Sequence, residues 1–247
     1  MKFVALMLAF ILGYFAQHGR HSIVDDINNG FSRYLNWFGE HFNSSELSSG
    51  WGGVLMFSLL PSIMLGIVVY FISGDMLLFA LILHSAVLFV CLVPVDPQIL
   101  NAENEKTADK IIDGFSIIEI VAVVFWYFVL GPVGALLMRL LFIGLQSEKL
   151  VETISTAVYL LKWLPVRLLI ISYALVGNFH GVIAATGSDC LRMDKDSFEL
   201  EQKAAESSLW PHFEELDEEE GVIQMVALYR RAILCWLFVL ALISFTV

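Results

Sequence analysis

The chain has 247 residues, 58% hydrophobic and 16% charged, with a formal net charge of −11. Soluble domains carry about 45–50% apolar and about 25% charged residues, so this composition, with a mean hydropathy of +0.76, belongs to a membrane protein. The acidity argues against nucleic acid or an anionic lipid surface as the main partner, and Cys91, Cys190 and Cys235 are too scattered for a disulfide framework or a metal site.

Phe3 to Ala16 is an apolar run behind Lys2. It has the length of a signal-peptide core, but no A-x-A-like cleavage site follows, so an uncleaved anchor is expected. Residues 18–53 read as an amphipathic helix and loop. Ile23, Ile27, Phe31, Leu35, Phe38 and Phe42 recur every three or four residues, the period of one helical face. Ser22 suits the N-cap, and Asp25 and Asp26 suit the positive end of the helix dipole. With few basic residues, this helix is expected to pack on other helices rather than bind anionic lipid. Val54 to Ile72 holds no charge, and Met76 to Val93 holds one ionisable residue, His84. Each run is long enough for a hydrocarbon core of ~30 Å. Ser73-Gly74-Asp75 joins them as an antiparallel hairpin, and Pro61 should kink the first span rather than end it.

Residues 94–116 read as a polar loop. Ile117 to Leu145 is an apolar run of 29 residues, longer than one untilted span, with Gly131-Pro132 near its middle. A sharp kink or half-span hairpin is expected there. The carbonyl freed by Pro132 needs another partner in lipid, so the break should be buried. Gly131 and Gly134 leave room for a close neighbour, and the segment after Pro165 is the expected one. Glu152 to Leu161 predicts a short helix. Pro165 is placed to open a second, Val166 to Val176, which Gly177 closes. Residues 185–226 read as an acidic, water-facing loop, with twelve acids against three bases between Asp189 and Glu220. Ala227 to Val247 is the last span, with Arg230 and Arg231 at its water-side end. Lysine and arginine placement favours the acidic loop on the cytoplasmic side. The expected architecture is one all-α integral membrane domain over 1–247. It is a helical bundle of about four to six membrane-embedded helices, with a Gly-Pro break in the central long helix.

No phosphate-binding glycine loop, metalloprotease helix or nucleophile elbow is present. Glu119 and Arg139 are the charges inside the long apolar run, and an intramembrane charge is costly enough to point to a ligand site. A fold-back at Gly131-Pro132 would let the two approach; alternatively, both snorkel to their nearer interfaces. Arg167, beside Trp163, suits a phosphate or carboxylate, or a headgroup anchor. Asn178 and His180 are polar groups at a helix end and complete the ligand-binding candidates, with a structural role as the alternative. Glu214, Asp217 and Glu218 offer oxygen ligands to a hard cation such as Mg2+, although such runs are ordinarily solvated. No catalytic set stands out, and the cofactor stays unknown.

Several blocks carry a resemblance. They are Arg33-Tyr34-Leu35 with Glu40-His41-Phe42-Asn43, the run from Phe125-Trp126 through Gly131-Pro132-Val133-Gly134-Ala135-Leu136 to Arg139, Trp163-Leu164-Pro165-Val166-Arg167-Leu168 with Tyr173-Ala174-Leu175-Val176-Gly177, and Tyr229-Arg230-Arg231 to Trp236. In composition and order they resemble the AmpE family of bacterial inner-membrane proteins, within the wider AmpE/CobD-CbiB superfamily. The resemblance implies a multi-pass inner-membrane protein tied to β-lactamase induction and cell-wall recycling, a signalling modulator without strong catalysis of its own. Its partners would be the lipid bilayer and other envelope proteins or further copies of the chain. The cobalamin-biosynthesis cousins join a corrinoid acid to an aminopropanol phosphate. The alternative they imply is an ATP- and Mg2+-dependent amide synthase in which Arg139, Arg167, Asn178 and Glu119 converge. No catalytic position of that branch has a counterpart between Pro94 and Phe115. A structural subunit of a membrane assembly is the third reading.

Overall fold

A computed structural model describes residues 1–18, 22–42, 50–72, 77–93, 105–147, 150–193, 196–209 and 218–246. Among these residues every regular element is helical. Helices α1 (Lys2–His18), α2 (Ser22–His41) and α3 (Gly50–Val54) come first, and α3 passes through a π-helical turn at Leu55–Leu59 into α4 (Leu60–Ile72). Then follow α5 (Leu77–Leu92), α6 (Glu105–Leu130), α7 (Pro132–Gly144), α8 (Val151–Val176), α9 (Phe179–Thr186), α10 (Ser197–Leu209) and α11 (Glu218–Thr246). Among the described residues, three stretches are long and apolar enough to cross a membrane: Gly50–Ile72, Val151–Val176 and Ile223–Leu242. The first leaves Tyr70 77% and Phe71 76% exposed, which suits hydrocarbon around it and not water. The fold divides into two compact units, Met1–Asn101 with Ala122–Tyr159, and Ala102–Val121 with Leu160–Val247.

In the first unit α7 is the centre. Ten of its 13 residues are buried, and α2, α4 and α5 pack on it. A Cβ on Gly66 of α4 would run into Val133, and one on Gly144 would run into Ile154, so both bare backbones serve close helix approach. α1 packs against α5, with Ala5, Leu6 and Ala9 buried.

Two carbonyls without helical donors help dock the outer helices. In an α-helix the N–H of residue 61 would donate to the carbonyl of Phe57, four residues back. Pro61 has no N–H, and the helix widens just before it, with Leu60 N–H reaching Leu55 O in the π-helical manner. The hydroxyl of Tyr34, from α2, donates to Phe57 O at 2.8 Å. A related replacement occurs at the end of α6, where the break at Gly131 leaves Phe128 O without a helical donor. There the Lys2 ammonium, from α1, donates at 2.8 Å. Ser58, Ser62 and Ser85 follow the same rule, each bonding a carbonyl one turn back in its own helix.

The chain reverses at Gly131, where φ is 70° and ψ is −151°, a region only glycine adopts freely. The start of α7 folds back on the last turn of α6. A Cβ on Gly134 would therefore strike the Trp126 carbonyl and Leu130. The close neighbour at Gly134 is thus the end of α6, where the segment after Pro165 was expected.

Four other expectations need correction. The polar 94–116 stretch is helical from Glu105 onward. The 185–226 stretch is not a loop, because it contains α10 and the start of α11. Acidic residues count as loop formers by charge, yet glutamate is a good helix former, and here Leu200, Ala204 and Ala205 give one face an apolar stripe. Pro165 does not open a helix but lies within α8. With Val166 and Leu169 buried beside it, packing outweighs the lost hydrogen bond. Arg230 and Arg231 are exposed inside α11 rather than at its start.

Gly134→Ala should lower the thermal stability of the detergent-solubilised protein by about 1–3 kcal/mol, because its Cβ meets backbone that cannot rotate away. Tyr34→Phe keeps the ring and removes only the donor to Phe57 O. It should cost about 1–3 kcal/mol, read as a shift in the detergent melting curve, and wild-type melting would contradict the assignment.

Candidate functional site

The second unit is built around a core that includes Ile117, Ile118 and Val121 of α6, Leu169, Ile170 and Tyr173 of α8, Leu200 and Ala204 of α10, and Leu228 of α11. Helix α10 is the acidic element of this unit. Asp196 caps it: its carbonyl accepts from Leu200 N–H, and its Oδ1 accepts from Phe198 N–H at 3.3 Å. Along its inner face Ser197, Glu201 and Ser208 are buried with the apolar stripe, while Glu199, Gln202 and Lys203 stay exposed.

Three groups from α8 and the turn after it hold α10 along its length. At its start Arg167, only 3% exposed, donates from Nε to Cys190 O at 3.0 Å, from Nη1 to Ser197 Oγ at 2.8 Å and from Nη2 to Arg192 O at 3.0 Å. Its guanidinium lies 5.2 Å from the centre of the Trp163 ring, within cation–π range. Lys162 adds a 3.8 Å ion pair to Asp196. In the middle the Tyr173 hydroxyl donates to Glu201 Oε1 at 2.5 Å. At the far end Asn178 N–H donates to Ser208 O at 2.9 Å. The Asn178 side chain meanwhile caps α9 by accepting from Gly181 N–H at 3.0 Å. A Cβ on Gly177 would crowd Ser208, and one on Gly181 would crowd the Ser207 carbonyl, so this junction needs bare backbone. Contacts at 167, 173 and 178 meet 197, 201 and 208 in order, so α10 runs alongside α8 in the same direction.

The candidates from sequence fall in both units. Arg167 and Asn178 belong to one construction, but at opposite ends of α10, and each is engaged by the protein itself. His180 is exposed on α9. Glu119 is buried in α6 at 5% exposure, in the same unit. Arg139 belongs to the other unit, where it is 2% exposed, donates to Asn28 Oδ1 at 3.0 Å and lies 5.3 Å from the Phe31 ring centre. Glu214 and Asp217 lie outside the described residues, as does the side chain of Glu218. Among the described residues no three His, Cys, Asp or Glu side chains gather in a way that would hold a metal ion.

Sequence reasoning missed Glu201 and Tyr173, the buried pair at the centre. The signal was present: residues 200, 201, 204, 205 and 208 share one helical face, which puts a carboxylate among apolar neighbours. It also missed His84 Nδ1 within 3.1 Å of the Tyr127 hydroxyl in the first unit.

Burial raises Glu201 from the usual 4.5 to about 7; the Tyr173 hydrogen bond opposes this, and Glu206 on the same helix adds to it. Tyr229 of α11 packs against Tyr173 with ring centres 6.1 Å apart. A carboxyl whose folded-state value is raised favours the folded state when protonated. Its contribution is therefore present in acid and lost as pH rises from about 4.5 through about 7. Melting in detergent across this window should show wild-type stability falling by roughly 2–3 kcal/mol. Glu201→Gln should flatten that fall, and an unchanged slope in the variant would place the titration elsewhere.

No protein-family model matches this chain, and neither a curated protein nor a solved structure is similar to it.

Proposed function

We propose that the chain is a multi-pass bacterial inner-membrane protein of the AmpE type, acting as a modulator in β-lactamase induction and cell-wall recycling without strong catalysis of its own. In this reading α1, α5 and the α6–α7 pair join the three long apolar helices as a bundle of about four to six embedded elements with its break at Gly131-Pro132. The acidic α10 faces the cytoplasm, and the partners are the bilayer and other envelope proteins or further copies of the chain. The support for the family is the set of blocks around Phe125-Trp126, Trp163-Leu164-Pro165 and Tyr229-Arg230. The observation that carries the modulator reading is the use made of Arg167. One of its donors reaches Ser197 at the start of the acidic helix, and two hold the turn that leads into it, at Cys190 O and Arg192 O. Such a guanidinium transmits position and does not wait for substrate.

In a bacterium with inducible β-lactamase, deleting the gene should alter induction and muropeptide pools. Complementation with Arg167→Ala should fail while the protein still inserts. Unchanged induction and pools after deletion would refute the role, and saturable binding of ATP–Mg2+ by the purified protein would favour the amide-synthase class instead.

A further inference from the structure

The first unit contains an apolar groove of about 350 Å³, formed where α2 passes over α4, α5 and α7. Its walls include Gly30, Phe31, Pro61, Val90 and Leu136, and Asp26 is the one charged group among them. The volume falls in the ordinary range of ligand sites, about 300–1,000 Å³. Tyr34 also borders the groove, but its hydroxyl is committed to Phe57 O and gives the lining no free polar group.

Gly30 is the informative residue. Glycine inside a helix costs about 1 kcal/mol relative to alanine. At Gly66, Gly134 and Gly144 a neighbouring helix or turn requires the bare backbone, but a Cβ on Gly30 would meet nothing within 4 Å. Packing does not account for this glycine, nor for Gly39 further along α2, but of the two only Gly30 lines the groove, where a side chain would take up its space. Water is a poor occupant, since a bound water needs two to four polar partners and this lining offers almost none. The surroundings favour lipid. Ile63, Met64 and Ile67 of α4 are exposed, as are Trp37 of α2 and Trp51 of α3, the residue type that settles at the headgroup level.

We propose that this groove holds an acyl chain of a membrane phospholipid with an ammonium headgroup, the ammonium resting on Asp26. Charge selects the class: a carboxylate at the groove attracts a phosphoethanolamine-type headgroup and repels an anionic glycerol-type one. The inference rests on the membrane part of the proposed function and not on the β-lactamase part.

The test uses full-length protein reconstituted in bilayers of equal phosphatidylethanolamine and phosphatidylglycerol, extracted in mild detergent and examined by native mass spectrometry. An exposed ion pair is worth up to ~1 kcal/mol, so wild type should retain phosphatidylethanolamine over phosphatidylglycerol by about fivefold. Asp26→Asn should keep a bound lipid and lose the preference. Gly30→Leu fills the groove and displaces about two methylenes, so retention of both lipids should fall about tenfold, with melting temperature held or raised. Equal retention of the two lipids by wild type, detergent alone in the complex, a second copy of the chain in place of lipid, or Gly30→Leu retaining lipid like wild type would each overturn the site. Release of the protein from bilayers by alkaline carbonate without detergent would instead overturn the membrane reading beneath it.

Discussion

A proline inside an apolar helix leaves one carbonyl without its donor, and in hydrocarbon no water can take the donor's place. Pro61 creates that need at Phe57 in the first unit, and the end of α6 at Gly131 creates it at Phe128. The donors come from elsewhere in the chain, Tyr34 on α2 and Lys2 on α1. These two bonds add direction to the docking of both outer helices, beside the Arg139–Asn28 bond to α2 and the apolar packing of α1 on α5. They tie α2 across α4 and α7 and hold α1 at the α6–α7 turn, where apolar packing alone would allow sliding. Tyr34 also borders the groove beneath α2.

The second unit solves a related problem with charge. An acidic helix beside an apolar one has little hydrophobic reason to stay, since α10 buries mostly small residues. Arg167, Tyr173 and Asn178 supply directional bonds at its start, middle and end. Arg167 is suited to this because its planar donors satisfy three acceptors at once, which a lysine could not do in the same geometry. Tyr173 bonds a carboxyl whose burial disfavours the charged form, so this part of the fold loses stability as Glu201 ionises even though the bond itself favours the anion. The clamp is therefore firm at its ends and sensitive to pH at its centre.

Much of the helical order was legible from residue pattern. The three-and-four spacing from Ile23 to Phe42 locates α2, the uncharged run to Ile72 locates the first long apolar helix, and Gly177 ends α8. The failures share a cause. Proline at 165 and acids at 185–226 are local signals of interruption, and tertiary packing overrode both. Lys2 read as a charge preceding an apolar run, and its bond to a carbonyl 126 residues away has no local trace. Of the candidate site residues, Arg167 and Asn178 were visible as polar groups near helix ends. Their common purpose was not, since α10 itself was unseen. Arg139 and Glu119 stood out by charge, and both are buried.

The proline–carbonyl account is tested most directly by a double-mutant cycle between positions 34 and 61, read by reversible melting in detergent. Pro61→Ala restores the N–H that Phe57 O lacks, so the tyrosine hydroxyl becomes redundant. The account predicts that Tyr34→Phe costs about 1–3 kcal/mol with proline at 61 and close to nothing with alanine there. Equal losses in both backgrounds, within about 0.5 kcal/mol, would show that Tyr34 holds α2 for some other reason and would contradict the account.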